Sequence, residues 1–375
     1  MSGYKLILLC FCLAFCCLLG ACTANQNQTS RLKDGAPVQL LDAKGFSIDT
    51  CGNKSALTIY NLKDSLNELA HFVLLPQSHN EPLTTNEIKV PCQRIICLSS
   101  TQLAYLIELD ALDNVVGINS SRHLFNTNIK TEIEEGKVLQ VGKEGVFDIE
   151  KIIALQPDVI FVSPFKTGGY DALRNLNIPL VPIAAYAENS PLGRAEWIKA
   201  MALFTGHNQK ADSIYNYIRN DYNQLRQLTK DVAYRPSVFS GKMKGGAWYV
   251  AGGNSFFAHY FRDAGADYVI KDDRVGAIPM DYESLYNIAH DADYWRLLTS
   301  SPSGFNKKAL AAEDHRYTVF KAFETGNVLT CNLREVPYRE ESCIKPNVLL
   351  ADYISHFHPD LLPNYQPTYW KRINE

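Results

Sequence analysis

Several things are missing from this 375-residue chain, and each absence removes a class of function. The longest apolar run, Leu6 to Leu19, falls short of the roughly 20 residues that a membrane-spanning helix needs. Charge of one sign is not in excess. Lys and Arg number 37 against 40 Asp and Glu, for a formal charge of -3, and no basic patch dominates, which argues against a nucleic-acid partner. Usable cysteine is scarce. Of the ten present, Cys10, Cys12, Cys16, Cys17 and Cys22 crowd the N-terminus, leaving Cys51, Cys92, Cys97, Cys331 and Cys343. Cys92 and Cys97 flank a predicted strand and point to opposite faces, so they do not bridge each other. Cys331 and Cys343, on either side of a polar loop, form the geometrically easiest pair, and the odd count leaves at least one thiol unpaired within the chain. Motifs of common catalysis are also missing. Gly241-Lys-Met-Lys-Gly-Gly246 is glycine-rich but lacks the Lys-Ser/Thr that meets phosphate and magnesium, and there is neither His-Glu-x-x-His nor Gly-x-Ser-x-Gly. His356-x-His358, the only close histidine pair, precedes Pro359 and reads as a helix end, not a metal site.

What the N-terminus does contain is an export signal. Lys5 supplies a positive charge, Leu6 to Leu19 has the length of a signal-peptide core, and Leu19-Gly20-Ala21-Cys22 places small residues directly before a cysteine. That quartet resembles a bacterial lipobox, which implies that residues 1–21 are removed and that Cys22 carries diacylglyceryl and palmitate chains anchoring a periplasmic protein to the membrane. Residues 22–36 are polar and suit a lipidated tether. Release as a soluble protein is the alternative. The mature chain, about 350 residues, is long enough for two domains with their own cores.

Its organisation is read from an internal repeat. Asp148-Ile-Glu150-Lys-Ile-Ile-Ala-Leu-Gln-Pro-Asp158-Val-Ile reads as a short helix with Glu in its first turn, followed by an Asp leading into a buried strand. Asp281-Tyr-Glu283-Ser-Leu-Tyr-Asn-Ile-Ala-His-Asp-Ala-Asp293-Tyr-Trp repeats the pattern, and Leu109 to Gly117 matches Arg262 to Ile270 in the same way. A period this long excludes a solenoid and predicts two similar α/β lobes. Strand-like runs at 45–48, 56–60 and 71–75 make residues 37–92 a β-rich N-terminal segment. Alternating strands and helices over 93–190 predict a first lobe with a parallel sheet, and 234–375 a second. Between them, 191–233 holds connecting helices. One spans 194–205; the next, capped near Asn208, runs to about Lys230 with Ala211, Ile214, Tyr215, Ile218, Tyr222, Leu225 and Leu228 at helical spacing. The expected fold is therefore α/β: two Rossmann-like lobes with parallel sheets joined by one long α-helix, plus a small β-rich N-terminal addition.

From Arg94 to about Leu362 the chain resembles the substrate-binding proteins of ABC importers for iron-siderophores, haem and cobalamin. The residues that carry the resemblance are Arg94-Ile-Ile-Cys-Leu-Ser-Ser, the Asp148–Ile160 segment, the long connector, Tyr249-Val-Ala-Gly-Gly-Asn-Ser255 and Phe261-Arg-Asp-Ala-Gly-Ala-Asp267. The N-terminal β segment and a long loop from Asn332 to Pro346 depart from simpler members. The resemblance implies an interlobe cleft that holds an iron chelate, haem or a corrinoid. It also implies glutamates at Glu150 and Glu283 that dock on the permease of a permease–ATPase pair, and an outer-membrane TonB-dependent receptor upstream. It implies a monomer without enzyme activity, resident cofactor or structural metal. The sibling class for bare zinc or manganese needs inward His and acidic ligands that cannot be assembled here. An enzyme on the same two-lobed scaffold remains the rival reading, although no nucleophile–base pair is evident. Ligands of open α/β lobes lie beyond the carboxyl ends of the strands. Those loops carry Arg122, His123, Lys143, Glu144, Phe165 and Lys166 in the first lobe, and Trp248, Tyr249, Arg274 and Arg334 in the second. The mixture of aromatic and cationic side chains suits a flat or anionic chelate, and His123 or Tyr249 could serve as an axial haem ligand.

Overall fold

A computed structural model describes residues 31–64, 66–122, 124–143, 145–164 and 170–375. The expected signal peptide, Cys22 and most of the tether lie outside the described residues, as do His123, Glu144, Phe165 and Lys166. Two parallel sheets form the body. In the first lobe the strand order is Leu180–Pro182, Val159–Val162, Ile95–Cys97, Val115–Ile118 and Leu139–Gln140, every pair parallel. In the second it is Val328–Asn332, Tyr294–Thr299, Ser237–Ser240 and Asp267–Tyr268, again parallel, with Lys371–Arg372 added antiparallel at the outer edge. The first four strands of each sheet run in the same topological order, so the sequence repeat is a repeat of architecture.

The repeated aspartates show why the pattern recurs. Asp158, just before its strand, accepts hydrogen bonds from the amides of Gln93 (2.6 Å) and Arg94 (2.9 Å), which lead into the neighbouring strand. Asp293 does the same in the second lobe, accepting from the Ser237 amide at 2.8 Å. A carboxylate satisfying the free amides at the mouth of a parallel pair also fixes its register.

The chain crosses between lobes through two consecutive helices. Pro191–Thr205 starts with Ser190 capping the Gly193 amide and proline in its first turn, and it ends at Gly206, whose φ of +75° suits glycine. Asn208–Leu228 follows, with Ala211, Tyr215, Ile218 and Tyr222 buried at the expected spacing. Its N-terminus differs from expectation: His207 is the cap residue and makes no side-chain capping bond. The shorter helix is apolar nearly all round because it is packed on all sides, against Ser100–Glu108 of the first lobe and against Phe256–Asp263 and Pro346–Phe357 of the second.

Both departures from the simple two-lobed plan have structural roles. The N-terminal segment is a five-stranded sheet in which Ala36–Pro37 and Glu87–Val90 flank the three expected strands. It is stapled to the connector. Glu196, fully buried, accepts from the amides of Leu41, Asp42 and Ala43 at 2.7–2.9 Å, and from Lys199 at 3.1 Å. Glu188 accepts from Lys44 and Gly45 amides and from the Trp197 indole, while burial pushes its carboxyl pKa up. Asp42 in turn receives Tyr215 and Arg219 of the second connector helix. The Asn332–Pro346 segment is a latch across the lobes. It carries the short helix Tyr338–Glu341, and buried Glu340 accepts from the Phe125 (2.6 Å) and Asn126 (3.1 Å) amides of the first lobe. Cys343 lies on this latch with its Sγ 3.7 Å from the Thr101 carbonyl. Cys331 and Cys343, the geometrically easiest pair in the sequence, do not bridge: all five described cysteines are free, and Cys331 is buried in strand Val328–Asn332.

Candidate ligand cleft

Between the lobes lies a cleft of about 320 Å³. Strand Ser237–Ser240 opens at its carboxyl end onto Ser240 and Gly241, as open α/β sheets dictate. A three-stranded antiparallel flap, Lys242–Lys244, Ala247–Ala251 and Ala277–Met280, forms one wall through Tyr249, Val250, Ala251 and Ala277. Tyr186 and Arg194 face it from the first-lobe side and the connector. The flap is pinned to the lobe floor by Ser240, whose Oγ accepts from the Ala251 amide, and by Tyr268, whose hydroxyl donates to the Ala251 carbonyl at 2.6 Å.

The Ala-Gly-Gly-Asn-Ser stretch that follows the flap strand has a steric reason. A Cβ on Gly252 would lie 2.1 Å from the Arg274 carbonyl oxygen, and one on Gly253 would lie 2.2 Å from that of Asp272. Only glycine lets these backbones approach, and the approach places Ser255, Phe256 and Phe257 at the cleft. Ser255 caps helix Phe256–Asp263 through the Ala258 amide.

The charge of the cleft is one-sided. Among the described residues its lining contains two arginines and no carboxylate. The Arg194 guanidinium lies 3.5 Å from the Phe256 ring centroid and donates to the carbonyls of Glu188 and Tyr186; burial draws its pKa down. Arg296, in central strand Tyr294–Thr299, is only 5% exposed and stacks on Phe257 at 3.8 Å and on Trp370 at 4.5 Å. Burial disfavours its charge, but the neighbouring hydroxyls of Tyr353 and Tyr338 outweigh that and raise its pKa, while Nε and Nη2 are buried without a formed hydrogen bond. Stacking on aromatic rings adds about 2 kcal/mol of attraction but satisfies neither nitrogen. Arg296 thus keeps two buried donors that an anion would meet.

A model of the periplasmic binding protein family matches residues 95–334, well over half of the sequence. The chain belongs to that family. An uncharacterized lipoprotein of Methanocaldococcus jannaschii is 28% identical over 302 residues, covering 76% of this chain and 70% of that protein. Among solved structures, an ABC-type Fe3+-hydroxamate transport protein from Saccharomonospora viridis aligns with a TM-score of 0.59 at 17% identity, over 80% of this chain and 98% of that one. A periplasmic haem-binding protein from Pseudomonas aeruginosa gives 0.58 at 17% identity, over 76% and 99%. The molybdate periplasmic binding protein of a Haemophilus influenzae ABC transporter gives 0.57 at 16%, over 73% and 88%. At these identities the structures establish the shared two-lobed fold alone.

Of the ten residues expected to touch ligand, the structure brings Tyr249 to the cleft, where it is 42% exposed. Trp248 is corrected to a core role. Its ring is fully buried among Phe239, Trp295, Tyr317 and Phe320, and its indole donates to the Ser240 carbonyl at 3.0 Å. Arg274 is likewise turned away from the lining, its exposed guanidinium paired with Asp272 at 2.7 Å; the neighbouring Val275, Gly276 and Ala277 face the cleft instead. Arg122, Lys143 and Arg334 are exposed and do not line it. Arg194 and Arg296 escaped the sequence reading, although each leaves a trace. Arg194 is a cation in the first turns of a helix, the end where the helix dipole disfavours it, and Arg296 interrupts the apolar strand Tyr-Trp-Arg-Leu-Leu. His356 and His358 serve the fold: their Nε2 atoms meet the carbonyls of Trp370 (2.7 Å) and Gly265 (3.1 Å).

Glu150 and Glu283 occupy matching places, each exposed in the first turn of its helix. Capping does not explain them. Asp148 caps Ile149–Leu155 through the Lys151 amide, and Asp281 caps Tyr282–Ala289 through the Ser284 amide; these bonds draw both aspartate pKa values down. Neither glutamate forms an ion pair among the described residues.

Proposed function

We propose that this protein is the substrate-binding component of an ABC importer. It captures an iron chelate (ferric siderophore or haem) or a corrinoid between its lobes and hands it to a membrane permease. The observation that carries the reading is the interlobe cleft itself, placed at a strand's carboxyl end and walled by Tyr186, Tyr249, Phe256, Phe257 and two guanidinium groups. Rings of this kind pack on a macrocycle or ligand scaffold, and arginines pair with carboxylates or catecholates.

Glu150 and Glu283 are the docking points on the permease, one per lobe. Two exposed anions on equivalent helices report the spacing of the lobes, and rim charges of this kind set register and encounter more than affinity. The latch and the packed connector favour a small hinge motion over wide clamping. Cys22 is the lipid anchor, a reading supported by the lipobox-like quartet and by the naming of the Methanocaldococcus jannaschii relative as a lipoprotein.

The test is a fluorescence-quenching and thermal-shift panel over a ferric siderophore, haemin and cyanocobalamin. One-to-one binding of at least one, without turnover, is expected. Binding of none, together with tight binding of a sugar or peptide, overturns the reading.

A further inference from the structure

Arg296 is the most conspicuous unsatisfied group in the described residues. It is a permanent cation in the middle of a β-sheet, 5% exposed, with two donor nitrogens unmet and no carboxylate among the described residues that line its cavity. Buried donors are nearly always paired, so one left open beside a cavity points to a partner that arrives from outside. Arg194 adds a second cation to the same wall. The two guanidinium planes are positioned by adjacent rings, Arg194 on Phe256 and Arg296 on Phe257, whose centroids lie 5.3 Å apart. Tyr338 of the latch neighbours both, and the first turn of helix Phe256–Asp263, with its partial positive charge, faces the same cavity.

A purely structural role for Arg296 accounts for the stacking but not for the open donors. A methionine of similar length would fill the same space against Phe257 and Trp370 without burying a charge. Two like charges on one wall also repel each other in a poorly solvated cavity, so a bound anion removes two penalties at once.

Building on the importer reading above, we propose that Arg194 and Arg296 form the seat of a delocalised oxyanion. The preferred cargo is therefore anionic, and neutral chelates and neutral corrinoids should bind more weakly. The oxyanion belongs either to a free inorganic anion or to a carboxylate or catecholate arm of a metal chelate; both present coplanar oxygens to a planar guanidinium fork.

The experiment uses the full-length protein in detergent, with sodium molybdate, ferric citrate and haemin as anionic probes, and a neutral ferric trihydroxamate and cyanocobalamin as neutral ones. At least one anionic probe should bind. Molybdate alone would assign a free oxyanion, whereas ferric citrate or haemin would assign an arm on a chelate. Arg296→Met should weaken that binding by at least about 30-fold, with Arg296→Lys intermediate because an ammonium lacks the fork. Ligand-free Arg296→Met should melt at or above the wild-type temperature, since it removes an unpaired buried charge; a drop of several degrees would make Arg296 structural and overturn the proposal. Silence of all three anionic probes also overturns it. Binding confined to the neutral probes, unchanged in Arg296→Met, sinks the oxyanion seat while leaving the importer reading intact. Binding of none of the five alongside tight binding of a sugar or peptide sinks both.

Discussion

The two lobes share a scaffold and divide the work. Strand order, the aspartate at the mouth of a parallel pair and the capped helix bearing an exposed glutamate all recur. The cleft lining does not recur. Most of it comes from the second lobe: the antiparallel flap, the first turn of Phe256–Asp263 and Arg296, while the described part of the first-lobe side adds Tyr186, and the connector adds Arg194. Under the importer reading proposed above, features that would meet both halves of a permease are duplicated, and features that would meet one cargo are not. On that reading, symmetry marks docking and asymmetry marks recognition.

The largest effect expected from breaking the symmetric set is on transport. Replacing Glu150 and Glu283 together by Ala should leave folding and ligand affinity close to wild type, because both side chains are exposed and the caps are Asp148 and Asp281. Ligand-stimulated uptake through the cognate permease should nevertheless fall severely. Normal uptake by the double variant would reduce the repeated glutamates to ordinary surface charges.

A second substitution pair sharpens the asymmetric set. Trp248 and Tyr249 are neighbours on one strand and so face opposite sides of it. Trp248→Ala should cost about 3–5 kcal/mol of stability, the range for emptying an aromatic core site. Tyr249→Ala should change stability by less than about 0.5 kcal/mol and weaken ligand binding instead. Urea unfolding and ligand titration on the two variants separate the roles, and the opposite outcome would place the cleft on the other face of the flap.

That pair also shows where sequence reading succeeded and where it stopped. The repeat, the parallel sheets and the connector were legible because each rests on periodicity: buried strands of four or so apolar residues, and Ala211, Tyr215, Ile218 and Tyr222 on one helical face. Strands Ala36–Pro37 and Glu87–Val90 were not, since the first has two residues and the second, Glu-Ile-Lys-Val, is half charged and lacks the apolar run of the buried strands. Both Trp248 and Tyr249 were expected at the ligand, yet alternation along a strand permits only one of them. Arg194 and Arg296 were hidden for the opposite reason. A charged residue within an apolar segment is easily taken as incidental, and only the fold reveals that both guanidinium groups meet at one cavity. The latch was read as a loop because its buried anchor, Glu340, satisfies amides more than two hundred residues away in sequence, at Phe125 and Asn126.

The smallest expected effect distinguishes the two matching aspartates. Asp158 meets backbone amides, whereas Asp293 also receives the hydroxyls of Ser237 and Tyr234 and the ammonium of Lys321 at 2.8 Å. Burial alone would push the Asp293 carboxyl up, but the Lys321 ammonium and the hydrogen bonds from Ser237 and Tyr234 outweigh it and hold the pKa at about 2, against an ordinary 3.8. A carboxyl with a depressed folded-state pKa contributes stability that is fully present above the unfolded value. That contribution should therefore fade as pH falls from about 4 toward about 2. Because the group is partly solvated, it amounts to about 1 kcal/mol. Denaturant midpoints measured from pH 6 down to pH 2 should show wild type and Asp293→Asn converging as the pH drops, with Lys321→Met part-way between them. A wild-type-to-Asp293→Asn gap that stays constant across this range would mean that Lys321 and its neighbours do not favour the ionised carboxylate. The extra polar contacts of the second lobe would then be matters of shape and not of charge.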